Sequence, residues 1–146
     1  LLYDWHHHPS FAHLEPLPGA EVAVRTLARF HPLACITACG SSPDTVRMRK
    51  ENLKRVFGDV FKEVYCTDTF AEKVPLLESY PPGYWIEDHM RNAQAGADAG
   101  HCSYLINMPY NRHQVSDDVS RVDSVVEAAL LILEQTHSRF LGLHHS

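Results

Sequence analysis

Residues 84–100 have the sequence YWIEDHMRNAQAGADAG, which contains the clearest structural pattern in the chain. Three apolar residues lead into two adjacent carboxylates, Glu87 and Asp88, and an alanine-rich segment follows that ends at a glycine. The pattern predicts a buried strand, an acidic loop and a helix. Because neighbouring carboxylates resist ionising together, their place at the end of a buried strand indicates that their charge is needed there.

Strands and helices alternate in the same way along most of the chain. Short apolar runs predict further strands at 33–37, 64–66 and 102–106. Periodicity and capping residues predict helices at 20–30, 43–57, 70–79 and 91–99, and a last helix after a loop at 107–118. This alternation is typical of an α/β fold with a doubly wound, Rossmann-like parallel sheet flanked by helices.

The helix faces follow from the same spacing. The last helix is expected to turn an apolar stripe towards the core: Val122, Val125, Val126, Ala129, Leu130 and Leu133. The second helix carries five basic residues, interrupted by Glu51, that are expected to form a solvated surface: Arg47, Arg49, Lys50, Lys54 and Arg55.

Length and composition bound the class of protein. The chain has 146 residues, of which 45% are apolar and 21% charged, as in an ordinary globular domain. The net charge of −5 argues against a general nucleic-acid or membrane-surface binder. We expect one domain over residues 1–146, with a lead-in at 1–19, interpreted as the end of a cap or linker, and a flexible tail at 138–146.

The cysteines favour a cytoplasmic protein, and the histidines indicate no metal site. The cysteines have no CxxC spacing, which favours free thiols in a reducing cytoplasm: Cys35, Cys39, Cys66 and Cys102. The histidines clustered at the two ends of the chain match no structural zinc spacing and are treated as incidental.

Polar residues that end strands form the candidate site, because ligands of parallel α/β sheets bind at the carboxyl ends of strands. These residues are Thr37, Thr67, Asp68, Glu87, Asp88 and Asn107. Thr37 precedes a flexible loop and a helix N-terminus, which together suit a phosphate-sized anion, although the hydroxyl would equally cap a loop. Lys73 lies in the first turn of a helix, where the dipole disfavours a cation. An anionic ligand would explain it; a solvated surface lysine is the alternative.

The two carboxylates suit a divalent cation. Mg²⁺ prefers oxygen ligands and keeps several waters, and a bound cation would remove the repulsion between Glu87 and Asp88. The alternative is that Asp88 caps the following helix and Glu87 is solvated. An anion pocket, a lysine and a magnesium site together are the parts of a phosphoryl-transfer site that still lacks a nucleophile.

These segments resemble the haloacid dehalogenase-like hydrolase superfamily, particularly its nucleotidase-like and phage-type phosphatase members. The resemblance covers residues 11–123 and rests on five short motifs in order: PLPGA, CITACGSSPDT, EKVPLL, YWIEDHMRNAQAG and YLINMPYNR. It implies a Mg²⁺-dependent phosphatase that acts on a small phosphorylated substrate, with no nucleic-acid or membrane partner.

The resemblance also implies roles for individual residues. Thr37, Ala38 and Lys73 would bind the phosphoryl group. Asp88 would bind Mg²⁺ with Glu87 as its acidic partner, so that Thr37, Lys73 and Asp88 form the catalytic set. The family usually has aspartate where Glu87 stands, and the extra methylene displaces the carboxylate by about one C–C bond.

The first motif of the family, an apolar strand that ends in two aspartates one residue apart, is not evident. In the family these aspartates supply the nucleophile and the general acid/base. Asp4 follows three apolar residues, and His6 would take the acid/base position, but the stretch 1–3 is short for a central strand. We therefore expect the first motif to lie upstream of Leu1, the central position of the sheet to be vacant or filled by residues 1–4, and this chain alone to be inactive. A central strand at residues 1–4 would instead make Asp4 the candidate nucleophile.

Two other functions stay open. A non-catalytic relic would keep the anion and metal groups without the nucleophile. A signalling receiver domain also uses acidic residues, a hydroxyl and a lysine at strand ends. Its acidic pair, however, lies on the first strand, whereas here the pair follows both Thr37 and Lys73 in the chain. The order of the residues therefore counts against the receiver.

Overall fold

The computed structural model describes residues 2–3, 19–38 and 40–145. Six strands are assigned there: β1 (Leu2–Tyr3), β2 (Leu33–Thr37), β3 (Phe61–Cys66), β4 (Tyr84–Glu87), β5 (Cys102–Ile106) and β6 (Val119–Val122). Five helices accompany them: α1 (Ala20–Ala28), α2 (Pro43–Phe57), α3 (Phe70–Ser79), α4 (Met90–Asp98) and α5 (Val125–His145).

The strands form one parallel sheet in the order β3-β2-β1-β4-β5-β6. The chain builds outward from β1 through β2 to β3, then crosses back and continues through β4, β5 and β6. The order therefore reverses between β1 and β4, and ligand crevices of such sheets open at the carboxyl ends of strands beside the reversal. The predicted parallel α/β architecture is confirmed.

The expectation that residues 1–3 are too short for a central strand is wrong. Leu2 lies opposite both Ala34 and Trp85, and Tyr3 lies opposite both Cys35 and Ile86. The two described residues of β1 are thus paired on both sides, by β2 and by β4. Asp4, the next residue in the sequence, lies outside the described residues.

Helices cover both faces of the sheet. The larger core contains inward side chains of α1, α2 and α5 together with Leu33, Cys35 and Ile86 of the strands. The smaller core lies on the other face, where Ala34, Ile36 and Trp85 pack with Leu77 of α3 and with α4. Alternate residues of one strand thus enter different cores, as the two-residue period of a strand requires.

The last part of the chain differs from its prediction. Val122 belongs to β6, a strand at positions predicted as the start of the last helix, and α5 begins only at Val125. Within α5 the buried face is Val125, Ala128, Ala129 and Ile132, whereas Leu130 is 63% exposed. Strand β6 was missed because Ser120 and Arg121 interrupt its apolar residues. The helix continues to His145, through residues predicted as a flexible tail.

The prediction that the basic residues of α2 are exposed is confirmed for four of them and wrong for Arg49. Arg47, Lys50, Lys54 and Arg55 are exposed. Arg49 is fully buried, because it lies one turn before Leu53 on the inward face.

The start and end of α2 lie where the capping residues predicted them. The Ser42 hydroxyl accepts a hydrogen bond from the Thr45 N–H at 3.3 Å, and Gly58 ends the helix with φ of 78°.

Cys35, Cys66 and Cys102 are free thiols, and Cys39 lies outside the described residues. Within the described ranges, no helix has the length and apolar character needed to span a bilayer.

Candidate functional site

Thr37 and the acidic pair lie at the carboxyl edge of the sheet on either side of β1. Thr37 is the last residue of β2 and Glu87 the last of β4, and both are fully buried. Because Tyr3 pairs with both Cys35 and Ile86, Thr37 and Asp88 each stand two residues beyond the same rung of the sheet. Their main chains are therefore level and about 10 Å apart, which is two strand spacings.

The loop after β2 is tied to the loop after β3. The Thr67 N–H donates to the Thr37 carbonyl at 2.9 Å, and the Gly40 N–H donates to the Thr67 carbonyl at 3.1 Å. The Ser41 N–H and hydroxyl donate to the two carboxylate oxygens of Asp68 at 2.8 and 2.5 Å. Gly40 has φ of 95°, in the left-handed region that favours glycine. The backbone that leads from Thr37 into α2 is thereby held in one shape.

This edge has the groups of an anion site. The amino end of α2, a helix of 15 residues, follows the exposed residue Ala38 and the Gly40 turn, and its N–H groups give that end a partial positive charge. Thr67 is buried beside Thr37, and its hydroxyl finds no hydrogen-bond partner within the described part of the chain. A buried hydroxyl of this kind is a further donor for a ligand oxygen.

Lys73 is the predicted cation of the candidate site. It lies in the first turn of α3 and only 1% of it is exposed, so the alternative of a solvated surface lysine is wrong. The N-terminal end of a helix carries a partial positive charge, which is unfavourable for a cation in the first turn. The position is therefore one that negative charge would stabilise.

Glu87 shapes the turn into α4. Its Oε1 accepts hydrogen bonds from the N–H groups of Asp88 at 2.9 Å and His89 at 3.1 Å, and His89 occupies the N-cap position. The alternative in which Asp88 caps the helix and Glu87 is solvated is therefore wrong. Glu87 instead folds back over the start of the turn and fixes the backbone that carries Asp88.

Asp88 is held through both its side chain and its backbone. Its Oδ2 accepts a hydrogen bond from the Tyr110 hydroxyl, and its carbonyl accepts one from Asn111 Nδ2 at 2.7 Å. The Tyr110 ring stacks on His89 with 5.0 Å between centroids and 26° between planes. The loop after β5 thus reaches across to the acidic turn.

Asn111 organises that loop. Its Nδ2 also donates to the Ile106 carbonyl at 2.8 Å, and its Oδ1 accepts from the Met108 N–H at 3.0 Å and from Arg121 Nη1 at 2.8 Å. Asn111 is fully buried, and these bonds use both ends of its amide. Tyr110 and Asn111 were not among the predicted site residues. The available signal was their position just after a buried strand, in a run of turn formers.

The acidic turn suits magnesium through its donor chemistry. Mg²⁺ is usually held by one or two carboxylates and several waters, and Glu87 and Asp88 supply carboxylates on adjacent residues. Among residues 2–3, 19–38 and 40–145, no group of three or more His, Cys, Asp or Glu side chains is arranged to hold a metal. Oxygen donors on adjacent residues are compatible with a cation that keeps most of its waters.

A separate cleft of about 390 Å³ lies at the opposite, amino-terminal edge of the sheet. Residues that line it include His31, Lys62, Tyr84, His101 and Arg139. Burial and the charge of Arg139 hold the pKa of His31 below its ordinary value. None of Thr37, Lys73, Glu87 and Asp88 lines this cleft, so it is distinct from the carboxyl edge.

No protein-family model matches this chain, and no curated protein sequence is significantly similar to it. What the protein does is therefore inferred from the chemistry of the carboxyl edge. That edge has the N-terminus of α2 and two adjacent carboxylates on either side of a central strand, and the buried Lys73 lies at the start of α3, the helix that follows β3.

Proposed function

We propose that this protein is a Mg²⁺-dependent phosphomonoester hydrolase of the haloacid dehalogenase-like type. The observation that carries the proposal is the position of β1 between β2 and β4, with Thr37 and Asp88 level on its two sides. The groups that would bind a phosphoryl anion and those that would bind a cation thus flank the strand that runs directly into Asp4 in the sequence.

In this proposal, Thr37, Ala38 and Lys73 hold the phosphoryl group. The Thr37 hydroxyl and the N–H groups around Ala38 donate to its oxygens, and the Lys73 ammonium offsets their charge. Donors fixed in advance at the place where charge develops are worth more than mobile water, because they need no reorganisation. The bonds that tie the loop after β2 to Thr67 and Asp68 provide that fixation.

The acidic turn holds the cation in the same proposal. Asp88 binds Mg²⁺, and Glu87 holds the turn and adds negative charge beside it. The metal, when bound, neutralises charge on the phosphoryl group and the leaving oxygen.

The nucleophile is assigned to Asp4. Its carboxylate oxygen attacks phosphorus while the bond from phosphorus to the leaving alcohol oxygen breaks, which gives an aspartyl phosphate. Water then attacks phosphorus and releases inorganic phosphate and the free carboxylate, with His6 in the acid/base position to protonate the leaving group and deprotonate the water. The expectation of an inactive chain depended on a missing central strand, and the position of β1 supports Asp4 instead.

The test is hydrolysis of p-nitrophenyl phosphate by the chain with Mg²⁺. We predict turnover that falls by at least about 100-fold in Asp88→Asn and in Asp4→Asn, because each removes a charge that acts on the reacting group. Asp59→Asn is the matched control. It makes the same change at an exposed position before β3, at the opposite edge of the sheet, and should leave turnover unchanged.

Two results would contradict the proposal. If the Asp88→Asn variant keeps its turnover, the metal must be bound by residues other than Asp88. A folded wild-type chain that binds phosphate and Mg²⁺ without any turnover would favour the non-catalytic relic.

A further inference from the structure

Tyr110 makes an unusual pair of contacts for a surface residue. Tyr110 is 52% exposed, yet its hydroxyl donates a hydrogen bond to Oδ2 of Asp88, a buried residue. Its ring lies against His89, the residue that follows Asp88. One tyrosine thus contacts both the carboxylate and the turn that carries it.

The loop that carries Tyr110 is held in place by hydrogen bonds of Asn111 and Arg121. The next residue, Asn111, donates to the carbonyls of Asp88 and Ile106 at 2.7 and 2.8 Å, so it joins the ends of β4 and β5. Arg121 of β6 donates to the Asn111 Oδ1 at 2.8 Å and to the Asn111 carbonyl at 3.1 Å. The phenol is therefore held at a set position relative to Asp88 by three neighbouring strands.

A hydrogen bond to one carboxylate oxygen decides which oxygen meets a cation. With Tyr110 on Oδ2, the carboxylate cannot turn about its last torsion without breaking that bond, so Oδ1 would be the oxygen that meets a cation. Partners that orient a metal ligand in this way commonly change metal affinity by about 10- to 100-fold when they are removed.

We propose that Tyr110 is a positioning residue that orients Asp88 for Mg²⁺, with Asn111 holding its loop. This inference rests on the proposed function, because it takes Asp88 as the metal ligand. It adds a residue from the loop after β5 to a site otherwise built from the ends of β2 and β4 and the start of α3.

The experiment measures Mg²⁺ binding to the whole chain by titration calorimetry, so that it does not depend on turnover. Tyr110→Phe removes the hydroxyl and keeps the ring that stacks on His89, so its fold should be kept. We expect its dissociation constant for Mg²⁺ to rise about tenfold. In turnover assays, saturating Mg²⁺ should restore the rate, since only the affinity is weakened.

Tyr65→Phe is the matched control. Tyr65 also donates its phenol hydrogen bond to a carboxylate, that of Glu63, but on β3 and away from the acidic turn. Its Mg²⁺ affinity should equal that of the wild type. A melting curve of each variant separates a change in affinity from a loss of fold.

The outcomes distinguish this inference from the proposed function. If Asp88→Asn abolishes binding while Tyr110→Phe binds as the wild type does, the positioning role is wrong and the metal site stands. Tighter binding by Tyr110→Phe would also overturn the inference, because the phenol would then compete with the metal. If the wild type binds no Mg²⁺, or Asp88→Asn binds it unchanged, the metal site of the proposed function fails and the role of Tyr110 fails with it.

Discussion

Trp85 and Gly96 show how closely single residues are fitted in the smaller core. Trp85 of β4 is fully buried, and its Nε1 donates to the Asn92 carbonyl of α4 at 3.0 Å. A Cβ added at Gly96 would stand 2.2 Å from Trp85 Cδ1. The helix that follows the acidic turn can therefore approach β4 only because residue 96 has no side chain.

We predict that Gly96→Ala destabilises the protein by about 1–3 kcal/mol, the usual cost of forcing an extra carbon into a packed core. The gain in helix propensity, about 1 kcal/mol, is too small to offset a clash of this size. Chemical denaturation gives the free energy of unfolding. Gly83→Ala is the control, because its added Cβ would meet its nearest atom at 3.7 Å, an ordinary contact. Equal stability of the two variants would show that Trp85 moves aside without cost.

At the scale of elements, β6 supports the site through Arg121. Besides its two bonds to Asn111, this residue donates to Asn107 Oδ1 at 3.0 Å and to the Gln114 carbonyl at 2.5 Å. The edge strand thus fastens the loop that carries Tyr110.

We predict that Arg121→Lys lowers the free energy of unfolding by about 1 kcal/mol, because an ammonium cannot reproduce the planar fork of donors that Arg121 offers to several acceptors. Denaturant titration measures the effect. Arg47→Lys serves as the control, since the ion pairs of Arg47 with Asp44 and Glu51 are exposed and contribute little. A loss no larger than that of the control would show that the loop is held by Asn111 without Arg121.

Sequence patterns predicted those features that depend on contacts between residues close together in the chain. Ser42 and Gly58 bound α2 through contacts within the helix ends, and both signals were sufficient. Strand β1 was rejected because its stability comes from β2 and β4, far along the chain. Arg49 and the pair Tyr110 and Asn111 were missed for the same reason. Their burial and bonding arise only when separate elements meet. The positions of Thr37 and Asp88 at the carboxyl edge could be predicted, because strand ends mark the edge of a parallel sheet.

At the scale of the whole molecule, β1 joins two halves of the sheet. Strands β2 and β3 lie on one side of it, and β4, β5 and β6 on the other. Without β1, the facing edges of β2 and β4 would expose unpaired N–H and C=O groups in the middle of the sheet.

We predict that deletion of residues 1–3 abolishes cooperative unfolding or makes the chain associate, because two inner edges would be left without partners. Circular dichroism melting and sedimentation measure these outcomes. A chain shortened by three residues at its carboxyl end is the control and should melt as the full chain does. A deletion variant that stays monomeric and melts cooperatively at the original temperature would show that β2 and β4 can close the gap directly.

The place of β1 also sets an order of events during synthesis. The partners of Leu2 are 32 and 83 residues further along the chain, at Ala34 and Trp85. While a ribosome produces this protein, β1 can join β2 early, but its other side stays open until β4 has left the exit tunnel. Open strand edges at this stage invite pairing with other nascent chains. The yield of folded protein in a cell should therefore depend on the time between translation of β2 and translation of β4. In the folded protein both edges of β1 are paired, so this dependence exists only during synthesis.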